Sequence, residues 1–423
     1  MTEPTWSHMF RVFLRIGLLS FGGPAAQIAL MHKELVEDRD WLSERKYLQA
    51  LSFCMLLPGP EAMQLATYAG WRLRGIPGGF LAGSLFVLPG AIIVAALALA
   101  YGVWGRLDIT QAIFLGVKAC VVVIVFNALA KVARKALHGA LNWALALGSF
   151  LAIFAFAVPF PLVVLAAGLL GFAAAADNRL HAEPPAAPAK RPSFGKTAAL
   201  VGTLAVAWGM PIAVLALTGQ AFLVDIALFF SKLAVVTFGG AYAVLTYMTQ
   251  AMVQDYGWIS TAQMMDALGL AETTPGPLIL VTEFVALLAG QAQGGWPLGL
   301  AAGLVALWVT FLPCFIWIFA GAPYLDWISA QPRLAGALSA ITAAVVGVIF
   351  NLSLWFATYF FFAEVSQMAF GPARFIAPEI WSLNPRAVVL AAVAAVTLVW
   401  WRLDMIWVLL ITALLGGMFY GVG

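Results

Sequence analysis

Long apolar stretches recur along this chain and constrain it more than any other feature. They fall at 10–35, 47–71, 79–103, 112–129, 140–157, 161–176, 198–217, 226–253, 262–289, 297–320, 334–362, 387–401 and 405–420, thirteen in all. About 20 apolar residues cross a ~30 Å hydrocarbon core as a helix, so such a chain has to bury its stretches in lipid or in one another. Composition agrees: 63% of the 423 residues are apolar and 10% charged, against roughly half and a quarter in an ordinary soluble domain. The 16 Trp and 30 Phe suit membrane interfaces. A soluble globular protein is excluded, and an all-α polytopic protein of the lipid bilayer is predicted. A net charge of +3 gives no ground for a nucleic-acid partner.

Several chemistries drop out early. Cys54, Cys120 and Cys314 lie inside apolar stretches without C-x-x-C spacing, so they read as packing residues and not as a disulfide or zinc framework. The basic and apolar N-terminus has no small-residue cleavage site and reads as mature protein. Phe194-Gly195-Lys196-Thr197 imitates the end of a phosphate-binding loop, but Lys190 stands where that motif needs glycine. The four histidines are scattered without ligand spacing. No metal, no cofactor, no catalytic residue and no enzyme are therefore expected.

The chain is duplicated. Ser20-Phe21-Gly22-Gly23 matches Thr237-Phe238-Gly239-Gly240, Trp41-Leu42-Ser43 matches Trp258-Ile259-Ser260, and Pro58-Gly59-Pro60 matches Pro275-Gly276-Pro277, all at an offset of 217. Val125-Phe126-Asn127 matches Ile349-Phe350-Asn351 at 224, which places about seven inserted residues near 291–297. Between the copies, residues 178–197 carry four prolines and a basic cluster and read as a polar linker. The expected organisation is a first transmembrane repeat at 1–177, a cytoplasmic linker at 178–197, a connecting transmembrane helix at 198–218 and a second repeat at 219–423. One extra crossing between repeats that each cross an even number of times inverts the second. Inverted repeats of this kind are typical of secondary transporters.

Lysine and arginine positions bear on the sense of each half. Arg72, Arg74, Lys131, Arg134, Lys135, Arg179, Lys190, Arg191 and Lys196 fall on one side, which the positive-inside rule makes cytoplasmic. Lys33, Arg39, Arg45 and Lys46 join them only if segment 10–35 is a hairpin of two half-helices. Length favours the hairpin, because 26 residues at ~1.5 Å would span ~39 Å while each arm beside Gly22-Gly23-Pro24 reaches the middle. Pro58-Gly59-Pro60 divides the next segment in the same way. Sixteen of the 22 basic residues are then inside, with Arg106, Arg374 and Arg386 outside and Arg15, Lys118 and Lys232 in the membrane. Long kinked spanning helices are the other reading, and both put the N-terminus in the cytoplasm and the C-terminus in the periplasm.

Broken backbone at membrane depth is tolerated only where protein or water encloses it, so four breaks point to one shared site. Helix N-termini after the breaks, near Pro24, Pro60, Ala241 and Pro277, present free N–H groups and partial positive charge, a ready anion site. Arg15 and Lys232 occupy equivalent repeat positions, each five residues before a hydroxyl residue, Ser20 or Thr237. Snorkelling to the interface explains both about as well. Lys118 lies deeper and reads as a substrate-attracting charge or as one member of an interior ion pair. Glu61, Glu272 and Glu283 lie in or beside the breaks, where desolvation would tie protonation to anion occupancy, as a proton-coupled exchanger requires; a glutamate in a first helical turn is equally a dipole partner. Gln27, Thr67, Asn127, Thr274 and Asn351 supply neutral polar groups.

These residues carry a family resemblance. Phe13–Pro24 (FLRIGLLSFGGP), Trp41-Leu42, Leu57–Glu61 (LPGPE) and the second-half TFGGA and TTPGP resemble the chromate ion transporter family in its long, two-repeat form, over nearly the whole chain. The resemblance implies a bacterial inner-membrane protein that exports chromate, with sulfate as a close analogue, driven by a proton or ion gradient. It carries over Gly22, Gly23, Pro24, Pro58, Gly59 and Pro60. The second half departs from the first, with Ala241 for Pro24 and Leu278 for Glu61, so the repeats are expected to differ in function. The anion would sit between the half-helix N-termini, held by Ser20, Phe21, the GG and PGP backbones, Thr237 and a cation. A transporter of another small or organic anion, an anion channel and a membrane-embedded enzyme are the competing classes, and a homodimer is left open.

Overall fold

The computed structural model describes residues 4–21, 23–175, 194–238, 241–325, 331–370 and 373–420. Gly22, Gly239, Gly240 and nearly all of the linker expected at 178–197 lie outside the described residues. In lipid a backbone must satisfy its own N–H and C=O groups, which a helix does within one segment. The chain accordingly runs as α1 (Trp6–Leu19), α2 (Gly23–His32), α3 (Glu44–Cys54), α4 (Glu61–Trp104), α5 (Asp108–Ala136), α6 (Ala140–Phe154), α7 (Phe160–Ala174), α8 (Phe194–Leu217), α9 (Ala221–Val236), α10 (Ala241–Gln250), α11 (Thr261–Thr273), α12 (Val281–Gly321), α13 (Pro332–Phe361), α14 (Pro385–Ala395) and α15 (Met405–Tyr420). Five stretches, Glu61–Trp104, Asp108–Ala136, Thr197–Leu217, Leu278–Tyr324 and Arg333–Phe361, are long and apolar enough to cross a membrane. The fold is that of a multi-pass, two-repeat, all-α membrane protein. Two compact units interleave along it: Met1–Ala96, Phe172–Ala241 and Thr274–Leu338 form one, and Leu97–Gly171, Tyr242–Thr273 and Ser339–Gly423 form the other.

In the first unit the early helices are too short to cross. Thr5 caps α1 by accepting from the His8 N–H; α1 and α2, of 14 and 10 residues, reach only ~21 and ~15 Å. They form a hairpin, because Trp41, beyond α2, returns to the start of α1 and lies 5.1 Å from the His8 ring and 6.4 Å from Phe13. The next segment enters beside it, where Tyr47 Oη donates to Ile28 O at 2.6 Å. It returns to the same end, where Arg74 donates to Pro4 O at 2.8 Å and lies over the Trp6 ring. Both segments of the first repeat thus fold back on themselves as hairpins with short arms, the geometry that the hairpin reading expects.

Helix α4 is two helices in sequence. Arg74 (φ −142°, ψ 28°) and Gly75 (φ 62°, ψ −156°) reverse the chain, and arms 61–73 and 76–104 pack antiparallel through glycines. A Cβ on Gly70 would lie 2.2 Å from Gly78 O, and one on Gly83 2.3 Å from Thr67 Oγ1. Helix α12 repeats this at Gly294 and Gly295, with Gly303 against Leu287. Thr67 and Gly83 thereby correspond to Leu287 and Gly303, an offset of 220. The insertion expected near 291–297 is therefore not there: three residues enter earlier, as the tight turn Leu278–Leu280 ahead of α12, and the other four enter beyond Gly303, since the offset is still 220 at that glycine and 224 at Asn351. The equivalent long arms of α4 and α12 run antiparallel, with Phe315 beside Phe80 and Gly83 and Phe319 beside Phe80 and Gly79. Equivalent helices pointing opposite ways are what an inverted duplication produces.

The second unit packs around α5. Cys120 and Ile124 meet Ala394, Val408 and Leu409 of α14 and α15, and Gly116 admits the Thr412 carbonyl, which a Cβ would meet at 1.9 Å. The cysteines are buried and free, as packing residues should be. One feature was not foreseen: β1 (Val365–Phe370) pairs antiparallel with β2 (Ala373–Pro378), Val365 opposite Pro378. Glu364, Arg374 and Glu379 flank or lie within this hairpin, and charge on it explains why it is not an apolar helix.

Candidate functional site

The four breaks come together in the first unit. Gly59 N–H donates to Thr237 O at 2.7 Å, and Gly276 N–H donates to Ser20 O at 2.9 Å. These bonds are counterparts, since Ser20 and Thr237, like Gly59 and Gly276, are equivalent repeat positions. Each PGP tip is thus pinned to the end of the helix that leads to the other repeat's break, at Thr237 or Ser20. An unpaired backbone group in a lipid-depth interior costs several kcal/mol, and each repeat supplies what the other's break lacks. Gln27 closes the arrangement, its Nε2 donating to Gly276 O at 2.7 Å and Ser20 O at 3.3 Å.

Glycine is required at the pinned positions. Gly59 has φ +119° and Gly276 φ +92°, a region that L side chains rarely adopt. A Cβ on Gly59 would also meet Cys314 Sγ at 2.9 Å and Gln64 Nε2 at 2.8 Å. Pro60 and Pro277 stand immediately before their helices and so cost no intrahelical bond. Pro58 and Pro275 fix the approach, and Thr274 is buried beside the latter. Helices beginning at Gly23 and Glu61 leave first-turn N–H groups without an intrahelical acceptor, whereas the N–H of Val281, at the start of α12, is taken up by Leu278 O and Ile279 O of the turn before it.

The expected side chains divide. Ser20 and Thr237 are buried, but each hydroxyl donates to its own helix, to Ile16 O and Leu233 O, both at 2.6 Å. Phe21, Gly23 and Pro24 are half-buried at the tip. Arg15 is 60% exposed and pairs with Glu34 at 3.5 Å, and Lys232 is an exposed side chain on the helix leading to Thr237. Glu61 is half-buried in the first turn of α4. Glu283 is buried in the first turn of α12, and its Oε2 has no hydrogen-bond partner.

Lys118, Asn127, Glu272 and Asn351 belong to the second unit. Glu272 is buried, and Asn127 and Asn351 are half-buried. Lys118 is in the ion pair foreseen as one of its two roles, with Nζ 2.7 Å from Asp266 Oδ1. Asp266 was missed, although a lone Asp within the apolar run 262–271 was a visible signal. Gln64 was missed too; its Nε2 donates to Pro58 O at 2.7 Å while Oε1 is a buried orphan. Its place one turn after Pro60 in an otherwise apolar helix could have marked it.

Broken helices whose ends meet between two repeats are an arrangement that membrane transporters use to build a substrate site. The sequence description "Chromate transporter" matches residues 7–172 and 224–417. The chain belongs to the chromate transporter family and is a membrane transporter, not an enzyme. It is 32% identical to a chromate transport protein of Cupriavidus metallidurans over 356 residues, covering 82% of each chain. It is also 32% identical to one of Pseudomonas aeruginosa over 350 residues, 82% of this chain and 79% of that one. An uncharacterized transporter of Methanocaldococcus jannaschii is 26% identical over 362 residues, 84% of this chain and 85% of that one. No solved structure matches the chain.

Proposed function

We propose that the protein exports chromate across the bacterial inner membrane by alternating access, with sulfate as an analogue and with coupling to protons or to a counter-ion. The reciprocal bonds Gly59 to Thr237 and Gly276 to Ser20 carry this reading. They gather helix N-termini from both repeats, and N-terminal N–H groups with the helix dipole favour a small dianion. Ser20, Thr237, Gln27 and Thr274 ring the same tips, and Ser20 and Thr237 can turn their hydroxyls from their own helices to a bound oxyanion. Rocking one repeat against the other exposes the tips alternately. Glu283 is the leading coupling carboxyl, being buried with an Oε2 that has no hydrogen-bond partner, with Glu61 and Glu272 as the others. The positive-inside rule supports an N-terminus in the cytoplasm and a C-terminus in the periplasm.

Radiolabelled chromate flux into proteoliposomes under an imposed pH gradient tests this reading. Gradient-dependent accumulation that unlabelled sulfate reduces is expected. Flux that only equilibrates chromate would indicate a channel, and transport of organic anions without chromate would indicate another substrate.

A further inference from the structure

The second unit holds a cation that the tip site does not use. Lys118, 12% exposed, meets the fully buried Asp266 at 2.7 Å, and Tyr101 Oη donates to the other carboxylate oxygen, Oδ2, at 2.6 Å. A charge in an apolar interior persists only with a partner or a role; Asp266 supplies the partner, and Tyr101 holds Asp266 in place. Lys118 also lines a pocket of about 310 Å³, together with Thr261, Met265, Tyr359 and Asn384. That volume lies at the lower end of ligand clefts, ~300–1,000 Å³. Its wall offers hydroxyl and amide groups beside a single ammonium, with Asp266 behind that ammonium and not in the pocket wall.

We propose that this pocket is an anion site separate from the hairpin tips, and that Asp266 is the built-in competitor holding Lys118 while the pocket is empty. The ligand class is a small tetrahedral dianion. Lys118 donates three hydrogen bonds as an ammonium, so it can turn part of its coordination to the pocket while staying near Asp266. An incoming dianion then shares Lys118 with Asp266, Thr261, Tyr359 and Asn384 donate to it, and the Asp266 charge sets how tightly it is held. This rests on the oxyanion reading of the family but not on the tips as the site.

Ala262 is exposed on the pocket wall, so Ala262→Cys in a chain lacking the three native cysteines reports on it locally. Sulfate and molybdate, which do not oxidise thiols, are the probes. Both should slow modification of the introduced thiol by a negatively charged reagent. Asp266→Asn should lower the half-protecting concentration by about fivefold or more, because a competing state is removed. Lys118→Met should abolish protection. Lys118→Met/Asp266→Leu, which leaves no buried charge unpaired, should also abolish it while eluting as a folded species. Absence of protection in the parent, equal protection in the double variant, or an unchanged concentration in Asp266→Asn would each overturn the proposal. Intact chromate flux alongside any of these results would leave the transport reading standing.

Discussion

Glu283 and Lys118 show how differently a membrane interior treats its few charges. Lys118 is neutralised by Asp266 at 2.7 Å, whereas Glu283 is buried with an orphan oxygen. A buried polar group without a partner contributes nothing to stability in its place, so Glu283→Gln should leave the melting temperature unchanged or higher. The same substitution should remove the response of chromate flux to a pH gradient. A fall in melting temperature by several degrees would show that Glu283 has a structural role, and an intact pH response would remove it from coupling. The expected residues of the tips were legible because Gly and Pro are rare punctuation in apolar helices and recurred at one offset. The pairing of Lys118 with Asp266 was not, because a partner on a distant segment leaves no mark in local spacing; nor were the hydroxyls of Ser20 and Thr237, because a hydroxyl can bond its own helix or a ligand with the same sequence around it.

At the level of the element, the hairpins of the first repeat keep both of their mouths at one end. Arg45→Cys and Arg72→Cys should therefore react with an impermeant thiol reagent from the same side of the membrane; labelling from opposite sides would mean a full crossing between them. The mouth of the first hairpin carries a titrating contact outside the spanning segments. His32 lies 2.6 Å from Glu44 and 3.0 Å from Glu37. The Glu44 hydrogen bond, supported by Glu37 and opposed by partial burial, raises the His32 pKa above its ordinary value. A raised folded-state pKa gives stability that is present below the unfolded value and lost as pH rises through the folded one. Hydrogen exchange at residues 33–46 should thus quicken, beyond the intrinsic rise, as pH passes through that window, and His32→Gln should flatten the change. Helix existence was readable from apolar length, and hairpin geometry from the arm lengths. The Leu278–Leu280 turn was not, because three extra apolar residues leave the pattern of apolar residues unchanged.

Across the whole molecule, duplication explains both the fold and its departures from symmetry. The long arms of α4 and α12 run antiparallel, and the tips are held by the same two bonds in each direction. The carboxylates differ, since Glu61 opens α4 while Val281 opens α12 and Glu283 follows two residues on, so coupling need not be shared equally. The central claim is that the pinned tips move chromate, and initial rates of radiolabelled chromate flux in proteoliposomes test it most directly. Gly59→Ala, strained at φ +119°, and Gln27→Leu, which frees the Gly276 carbonyl, should each slow flux by about tenfold or more, the scale of one lost buried hydrogen bond to several. Gly148→Ala, with open space around the added methyl, should keep the parental rate. Parental rates in both tip variants, at equal reconstituted protein, would contradict the account.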